Sequence, residues 1–256
     1  MKSAILSDIH GNLEAFQAVL CYCDRIGVEQ IFSLGDNIGY GPNPAECLDL
    51  LVTRHIPSAM GNHEHEVQTH FDPASHLNIS LCAIVSLEWT RDQLSPEHIR
   101  YVKSLPYTIL IDDKHIGVHA SLDEPDRFLY IMASQDRTLK STFEILQYEG
   151  YKTCLIGHTH MPRVFYEDGS YQIPKERNFT GTTTITLDIS QGRYVINVGA
   201  VGVSRDGDPR ASFLLMDNDQ YNIVRVPYDY EQTRKKLLAT QLPLCQELAD
   251  RIMKTK

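Results

Sequence analysis

Short apolar runs and longer amphipathic stretches alternate over the first sixty residues of the chain. Apolar runs at residues 3–7, 30–34 and 57–60 have the length of buried strands. Between them, apolar side chains recur at three- and four-residue spacing over residues 13–26 and 44–54, which is typical of helices packed on a core. The order strand, helix, strand, helix, strand predicts a parallel sheet covered by helices.

The chain alternates between helices and strands up to residue 160 and is mostly β beyond it. Before residue 160, helices are predicted over residues 77–103 and 134–149, with strands at 107–111, 115–118 and 152–156. The rest is mostly β, with predicted strands at 163–166, 194–198, 212–217 and 221–226, and then one or two helices over 230–253, broken near Pro243. We expect one domain over residues 1–256, with residues 71–94 and 167–192 as candidate lid or insert segments.

Composition and charge narrow the classes of protein to consider. No apolar run approaches the ~20 residues that cross a bilayer, which argues against a membrane-spanning helix. Ser7 and Asp8 interrupt the only apolar run near the start, so that run is too short for the apolar region of a signal peptide. The six cysteines are scattered without a CxxC pair, so no disulfide framework or zinc knuckle is indicated. A formal net charge of -9 disfavours broad contact with nucleic acid or anionic lipid. We expect a cytoplasmic protein with neither a membrane nor a stable nucleic-acid partner.

Side chains that bind metals follow five of the predicted strands at the point where each strand ends. Because the carboxyl ends of parallel strands meet at one edge of a sheet, we expect these side chains to lie close together. Carboxylate, imidazole and amide oxygen together suit Mn, Fe or Zn better than Ca or Mg. The residues are Asp8 and His10, then Asp36, then Asn62 and His63, then His119, and finally His158 and His160.

Each of these motifs alone has an ordinary structural interpretation. An Asp-x-His at a strand end is often a polar turn, although in an extended segment its two side chains would point to one side and could grip one ion. Gly-Asp favours turns in general, and a lone histidine such as His119 is usually structural. The occurrence of all five motifs in order, each at a strand end, is the observation that favours a metal centre.

Taken together, the motifs resemble the signature of the calcineurin-like metallophosphoesterase superfamily. That signature is DxH, GDxxxxG, GNHE or GNHD, a single His, and GHxH, found here at residues 8–10, 35–41, 61–64, 119 and 157–160. The stretch NVGAVGVSRDGDPRASF at 197–213 also resembles a segment of small bacterial and archaeal predicted phosphodiesterases related to diadenosine tetraphosphatases. The resemblance implies an α/β fold in the form of a four-layer α/β/β/α sandwich.

By position, the resemblance also implies two divalent transition-metal ions, with Mn expected first and Fe, Zn, Co or Ni as alternatives. A hydroxide bridging the two ions would attack a phosphodiester or a nucleotide phosphoanhydride bond. His63 would stay off the metal and act as general acid, and Glu64 would be a supporting or loop carboxylate. The implied ligands are Asp8, His10, Asp36 and His160 for one ion and Asp36, Asn62, His119 and His158 for the other.

Departures from the family pattern limit the prediction of substrate. Where related phosphatases read GDxVDRG, this chain has Gly39 and Tyr40 in place of the Asp and the Arg. The group that orients His63 is therefore unidentified, and a phosphate clamp is missing. Arg205 could replace the clamp or could instead pair with a neighbouring aspartate in its turn. Asn12 could contact substrate or cap the following helix.

The remaining residues of the stretch GNHEHEVQTH, His65, Glu66 and His70, are assigned to a loop without a metal role. The leading hypothesis is a phosphohydrolase acting on a small phosphorylated substrate, nucleotide-like in character. Phosphomonoesterase activity is one alternative. The other is a non-catalytic scaffold of the same fold, which would have no reason to keep a complete ligand set.

Overall fold

In the computed structural model, two β-sheets pack face to face between two layers of helices. The structure describes residues 1–68, 80–132, 136–174, 180–187, 189, 192–240, 242 and 244–253. Its elements, in chain order, are β1 (Lys2–Leu6), α1 (Leu13–Arg25), β2 (Gln30–Ser33), α2 (Pro44–Thr53), α3 (Asn62–Val67), α4 (Leu81–Gln93), α5 (Pro96–Lys103), β3 (Thr108–Leu110), β4 (His115–Val118), α6 (Arg137–Glu149), β5 (Thr153–Ile156), β6 (Arg163–Tyr166), β7 (Tyr171–Gln172), β8 (Thr183–Thr186), β9 (Tyr194–Asn197), β10 (Ala211–Asp217), β11 (Gln220–Val226), α7 (Tyr230–Ala239) and α8 (Cys245–Met253).

The two sheets differ in how many of their strands are parallel. The first has the order β2-β1-β10-β11-β8, and of its described strands only β1 and β2 pair in parallel. The second has the order β3-β4-β5-β9-β6-β7, with a parallel centre of β4, β5 and β9 and antiparallel strands outside it. The predicted metal ligands follow the carboxyl ends of β1, β2, β4 and β5, except for Asn62, which begins α3.

The alternation of side chains along the strands explains the four layers. In β1, Ala4 and Leu6 belong to a buried cluster with Phe16 and Val19 of α1. Ile5, between them, belongs to a second cluster that contains side chains of β5 and β9 and fills the space between the sheets. The outer face of the second sheet packs on Leu139 and Leu146 of α6. The expected α/β/β/α sandwich is therefore confirmed.

The predicted third strand at residues 57–60 is wrong as an independent strand. Only Ser58 forms a bridge, to Ser33, in the parallel direction. Ala59 N–H still donates to Ser33 O at 2.9 Å, but Met60 N–H donates to Pro106 O at 2.7 Å. The backbone leaves the sheet at this point, one residue before Gly61, the N-cap residue of α3.

The two candidate lid segments are described only in part. Residues 71–79 lie outside the described residues, and the rest of the first segment includes α4, whose Cys82 and Ala83 pack in a cluster with Tyr40 and Leu248. In the second segment, residues 175–179, 188, 190 and 191 lie outside the description, and β7 and β8 flank the gap. The predicted helix break falls between α7 and α8, although Pro243 itself is not among the described residues.

No helix in the described part of the chain has both the length and the apolar character needed to cross a membrane.

Candidate metal centre

The backbone at the strand ends adopts the left-handed conformation at five predicted ligands. Their φ angles lie between 49° and 65°, a region that side-chain-bearing residues rarely occupy. The expectation that the Asp-x-His segment is extended is therefore wrong, yet its turn still brings both side chains to the centre. Hydrogen bonds hold this turn, because Asp8 N–H donates to Gly35 O at 3.0 Å and His10 N–H to Asp36 O at 2.9 Å. Such strain persists where surrounding contacts enforce it, often at functional sites. The five residues are Asp8, His10, Asp36, His158 and His160.

One group of predicted ligands forms around the end of β1. Candidate ligand atoms of Asp8, His10 and His160 all lie within 4.8 Å of one another, and the three residues are buried. His160 Nε2 lies 3.3 Å from Asp8 Oδ1 and 3.1 Å from His10 Nε2. The structure thus brings together residues that are 150 positions apart in the chain.

A second group lies beside the first and includes Asp36. Asp36, His119 and His158 also offer ligand atoms within 4.8 Å of one another. His119 Nε2 lies 3.3 Å from Asp36 Oδ2 and 3.2 Å from Asn62 Oδ1. Because Asp36 Oδ2 is also 3.8 Å from His10 Nε2, this one carboxylate oxygen faces both groups.

Backbone carbonyl groups orient three of the histidines. In each ring Nδ1 lies against a carbonyl oxygen, and an Nδ1–H that donates there leaves Nε2 directed at the centre. Hydrogen bonds of this kind are typical of histidines that bind metal ions. The pairs are His10 with Ile38 O at 3.2 Å, His119 with Leu34 O at 3.1 Å and His160 with Val203 O at 2.5 Å.

The facing lone pairs and unpartnered polar atoms of this cluster suit a bound divalent cation. With Nδ1 protonated, His10 and His160 direct two Nε2 lone pairs at each other across 3.1 Å, which is repulsive unless a cation or a proton lies between them. Burial lowers the pKa of His10 well below its usual value and that of His158 to about 3, so both rings are neutral. Asp8 Oδ1 and His158 Nε2 are buried with no hydrogen-bond partner among the described residues.

The charges of the centre are coupled to one another. Although burial opposes ionisation, His160 holds the pKa of Asp8 below its usual value, and His119 does the same for Asp36. Burial likewise favours neutral His119, but Asp36 outweighs it and raises the pKa of His119 to about 9. A metal ion bound here would displace that proton, so we expect metal affinity to rise with pH.

His63 lies beside the shared carboxylate. Its backbone N–H donates to Asp36 Oδ1 at 2.8 Å, and its Nε2 is 3.9 Å from Asp36 Oδ2. Burial lowers the pKa of His63, and its Nδ1 has no hydrogen-bond partner among the described residues. His63 also lies within ligand distance of His10 and Asp36, so its predicted role as an acid that stays off the metal is a proposal.

Glu64 stabilises the turn at Asp36 through hydrogen bonds to backbone N–H groups. Its side chain is fully buried, and its Oε2 accepts hydrogen bonds from the backbone N–H groups of Asp36 at 2.8 Å and Gly61 at 3.0 Å. Its Oε1 accepts from Asn37 N–H at 2.7 Å. Burial, together with the charge of Asp36, raises the pKa of Glu64 to about 7. The carboxylate of the GNHE motif thus fixes the backbone that presents Asp36, whose side chain faces both groups.

Asn12 takes the capping role. Its Oδ1 accepts from Ala15 N–H at 3.1 Å and from the Thr233 hydroxyl at 3.0 Å. Its Nδ2 donates to Gly202 O at 2.8 Å and to the Tyr228 hydroxyl at 3.2 Å. The amide is fully buried, which favours the capping role, and the substrate contact at this residue stays a prediction.

Arg205 lies next to the centre. The sequence left open whether it would pair with a neighbouring aspartate, and among the described residues it forms no such ion pair. Asp206 pairs with Arg225 and Asp208 pairs with Arg210, so both neighbouring carboxylates are already engaged. The backbone N–H of Arg205 donates to His160 O at 3.4 Å, which fixes its loop beside the ligand cluster.

Sequence reasoning missed several aromatic residues at the centre. Tyr40 appeared only as a departure from the family motif, but its ring centroid lies 4.7 Å from that of His10 and 4.8 Å from that of His63. Burial raises the pKa of its hydroxyl, against the opposing charges of Arg205 and Arg251. No periodic pattern marks a single aromatic residue in a turn, so Tyr40 could not be found from its position in the chain.

A second aromatic surface borders the other group of ligands. The ring centroid of Tyr130 lies 4.0 Å from that of His158, and the ring centroid of Phe128 lies 6.0 Å from that of His119. The loop assignment of His65 is wrong, because His65 lies in α3; its ring centroid is 5.6 Å from that of Phe128, and its Nδ1 is 3.0 Å from the Tyr107 hydroxyl. We call these four residues, His65, Tyr107, Phe128 and Tyr130, the aromatic wall. His70 lies outside the described residues.

Gly39 makes the packing of His63 testable. Gly39 has φ +82°, and a Cβ built there would lie 1.9 Å from His63 Nδ1. We predict that Gly39→Ala displaces the imidazole and lowers kcat/KM for the hydrolysis that the sequence resemblance implies by roughly 100-fold, the cost of a misplacement of about 1 Å. Steady-state kinetics with bis(p-nitrophenyl) phosphate and Mn²⁺ measures this.

Gly150 is a matched control, because it has the same φ of +82° and a Cβ added there would meet only open space. Gly150→Ala should carry a similar backbone strain of roughly 1–2 kcal/mol without loss of activity. Equal kinetic effects of the two substitutions would show that backbone strain, and not contact with His63, is responsible.

Comparisons with known proteins agree with this geometry. A family model described as the calcineurin-like phosphoesterase superfamily domain matches residues 1–220. An uncharacterized protein of Methanocaldococcus jannaschii, MJ0912, is 31% identical over 245 residues, which cover 94% of this chain and 93% of that protein. The crystal structure of a metallophosphoesterase from Sphaerobacter thermophilus has a TM-score of 0.81 and 33% identity, with 100% of both chains covered. Hypothetical protein PH1004 from Pyrococcus horikoshii shares the fold, with a TM-score of 0.77, 18% identity, and 98% of this chain and 97% of that one covered.

Proposed function

Because the chain belongs to the calcineurin-like phosphoesterase superfamily, we propose that it is a dinuclear metal-dependent phosphohydrolase that cleaves phosphodiester or nucleotide phosphoanhydride bonds. The observation that carries this proposal is the pair of adjacent buried ligand groups that Asp36 faces. Oxygen and nitrogen donors in this combination suit Mn, with Fe, Zn, Co or Ni as alternatives. We propose Asp8, His10, Asp36 and His160 as ligands of one ion and Asp36, Asn62, His119 and His158 as ligands of the other.

When bound, two divalent ions neutralise the phosphoryl group and lower the pKa of a water molecule. They would also add four positive charges to a chain of formal charge -9, concentrated where an anionic substrate must enter. The residues of the chain contribute orientation. Glu64 holds the Asp36 backbone, and carbonyl oxygens hold three histidine rings in place.

His63 is the residue that we propose to protonate the leaving oxygen. Its neutral ring, lowered in pKa by burial, would have to take up a proton on substrate binding before it can donate one. The anionic phosphoryl group of the substrate next to the ring would favour that uptake, because an opposite charge stabilises the imidazolium form. Gly39, which has no Cβ, leaves room for the imidazole, and the ring of Tyr40 packs on it at 4.8 Å between centroids. This packing would orient His63 in place of a carboxylate.

The aromatic wall supports a nucleotide-like substrate. Tyr130 is 51% exposed although its ring contacts His158, so it offers an accessible face beside the second ligand group. Bases stack on such faces whatever their sequence, because every base has a π-face. A simple phosphomonoesterase would need no aromatic surface of this kind, and a scaffold would need neither the wall nor the ligand set.

A turnover screen tests the proposed activity. We expect the full-length protein to hydrolyse bis(p-nitrophenyl) phosphate and nucleotide substrates with Mn²⁺, and chelation by EDTA to abolish turnover. A preference for p-nitrophenyl phosphate over every diester and nucleotide would favour the phosphomonoesterase alternative. No turnover with Mn²⁺, Fe²⁺, Co²⁺, Ni²⁺ or Zn²⁺ would favour the scaffold.

Metal binding should also stabilise the fold. At a free concentration of about 100 times Kd, one ligand that binds only the folded state adds about 2.7 kcal/mol. In a chain of this size each kcal/mol raises Tm by about 2–4 °C, so we expect Mn²⁺ to raise Tm by roughly 5–10 °C. Differential scanning fluorimetry of EDTA-treated protein measures the shift. An equal shift with Ca²⁺ would contradict a site selective for transition metals.

A further inference from the structure

A cavity of about 230 Å³ lies beside Tyr40 and is not part of either ligand group. The loop from Val203 to Gly207 forms one side of it, and Leu248 and Arg251 of α8 form another. Tyr40 lines the cavity and also packs on His10 and His63. The cavity therefore begins one side chain away from the metal centre.

The cavity adjoins the centre on the side of the first ligand group. Val203 O contacts His160 Nδ1, and the Arg205 N–H donates to His160 O, so the loop that forms the cavity also orients a ligand. The aromatic wall, in contrast, contacts His119 and His158 of the other group. A substrate held over the centre would thus have the aromatic wall at one end and this cavity at the His63 end.

Two arginines give the cavity positive charge without a carboxylate to neutralise it. Among the described residues, neither Arg205 nor Arg251 forms an ion pair, and the Arg251 guanidinium lies 5.9 Å from the ring centroid of Tyr40. The nearby Arg210 and Arg225, by comparison, are each paired with an aspartate. In a protein of net charge -9, two uncompensated guanidinium groups on one small cavity indicate an anionic ligand.

We propose that the Tyr40–Arg205–Arg251 cavity binds a second phosphate group of the substrate, on the leaving-group side of the reacting phosphorus. The inference rests on the proposed function, because His63, next to Tyr40, is the group assigned to protonate the leaving oxygen. Pockets for whole small ligands usually occupy about 300–1,000 Å³, so this smaller cavity suits one part of a ligand. The substrate class that fits is a nucleoside or dinucleoside polyphosphate rather than a diester with a single phosphate.

Kinetics with two substrates test the proposal. In ADP attacked by water at its α-phosphorus, the adenosine faces the aromatic wall and the leaving group is the terminal phosphate, which would occupy the cavity; the products are AMP and phosphate. Bis(p-nitrophenyl) phosphate has only one phosphate group. With Mn²⁺ present, we expect Arg205→Gln and Arg251→Gln each to lower the ratio of kcat/KM for ADP to that for bis(p-nitrophenyl) phosphate by roughly 10- to 100-fold, the effect of losing one charge-assisted hydrogen bond. An unchanged ratio in both variants, or no turnover of ADP by the wild type, would overturn the proposal.

Arg137→Gln is the matched control, because Arg137 lines a different cavity beside α6. This variant should keep the wild-type ratio, and melting temperatures of the three variants should show that each is folded. A fall in the ratio for Arg137→Gln equal to that for the other two variants would show that loss of any surface arginine suffices, which overturns the assignment.

A binding measurement separates the cavity from the chemistry. We expect inorganic pyrophosphate to bind the EDTA-treated full chain in calorimetry, and each of the two cavity variants to bind it at least roughly 10-fold more weakly than Arg137→Gln does. Because no metal and no turnover are involved, this result stands even if the proposed hydrolase function fails. Absence of binding to the wild type, or equal affinities in all variants, would overturn the proposal.

Discussion

Asp36→Asn is expected to lower kcat/KM for the Mn²⁺-dependent hydrolysis of bis(p-nitrophenyl) phosphate by at least about 10³-fold. Asp36 Oδ2 lies 3.3 Å from His119 Nε2 and 3.8 Å from His10 Nε2, so the same oxygen serves both ligand groups. Asparagine keeps the shape but removes the negative charge that would hold two cations close together. A loss of about 4 kcal/mol in transition-state stabilisation, the scale of metal-ion catalysis, corresponds to roughly 10³-fold in rate.

The metal content of Asp36→Asn shows whether its loss of activity is due to loss of a metal ion. We expect elemental analysis to find two ions per chain in the wild type and fewer than two in Asp36→Asn. Asp24→Asn is the matched control, because Asp24 is an exposed carboxylate that pairs with Arg54 on the surface. An Asp36→Asn protein that keeps both ions and loses less than tenfold in rate would contradict the shared role of this carboxylate.

His63→Ala is expected to lower the rate by about 10²- to 10⁴-fold for a substrate with a poor leaving group, the range typical of general acid catalysis. The loss should be smaller for bis(p-nitrophenyl) phosphate, because p-nitrophenolate leaves without much need of a proton. Dinucleotide hydrolysis provides the poor leaving group in the comparison. This dependence on the leaving group is the signature of an acid, and a purely structural role would not produce it.

Metal content again distinguishes the alternatives for His63, since its ring lies within ligand distance of His10 and Asp36. As an acid, His63 can be removed with both ions retained. Loss of an ion in His63→Ala, or an equal rate loss for both substrates, would instead identify a ligand. The matched control is His55→Ala, because His55 is exposed in the turn after α2 and its Nδ1 lies against the backbone carbonyl of Thr53.

The sequence was sufficient to predict the fold and to indicate which residues meet at the centre. The reason is geometric: Asp8 and Asp36 follow the adjacent strands β1 and β2 of the first sheet, and His119 and His158 follow β4 and β5 of the second. The sequence predicted one sheet edge, whereas the centre forms where the strand ends of two packed sheets meet. The metal ions, the ligand assignment and the acid role of His63 stay predictions, as do the single-domain organisation and the cytoplasmic location.

Other parts of the centre could not be predicted because no local pattern encodes them. Tyr130 lies on an irregular segment, and Arg251 reaches the cavity only because α8 packs against α4 and Tyr40. The strand predicted at residues 57–60 was wrong for a similar reason, since a long-range hydrogen bond to Pro106 draws Met60 away from the sheet. Asn12 was open to two roles from its sequence position, and the hydrogen bond from Ala15 N–H to its Oδ1 identifies it as the cap of α1.

Titration of the metal-free full chain with Mn²⁺, with bound metal and turnover followed in the same samples, tests the central claim most directly. The two ligand groups that Asp36 faces predict that two ions bind per chain and that hydrolysis of bis(p-nitrophenyl) phosphate reaches its full rate only when both are bound. Binding of a single ion at full activity, or turnover that is unaffected by removing the metal, would contradict a dinuclear centre.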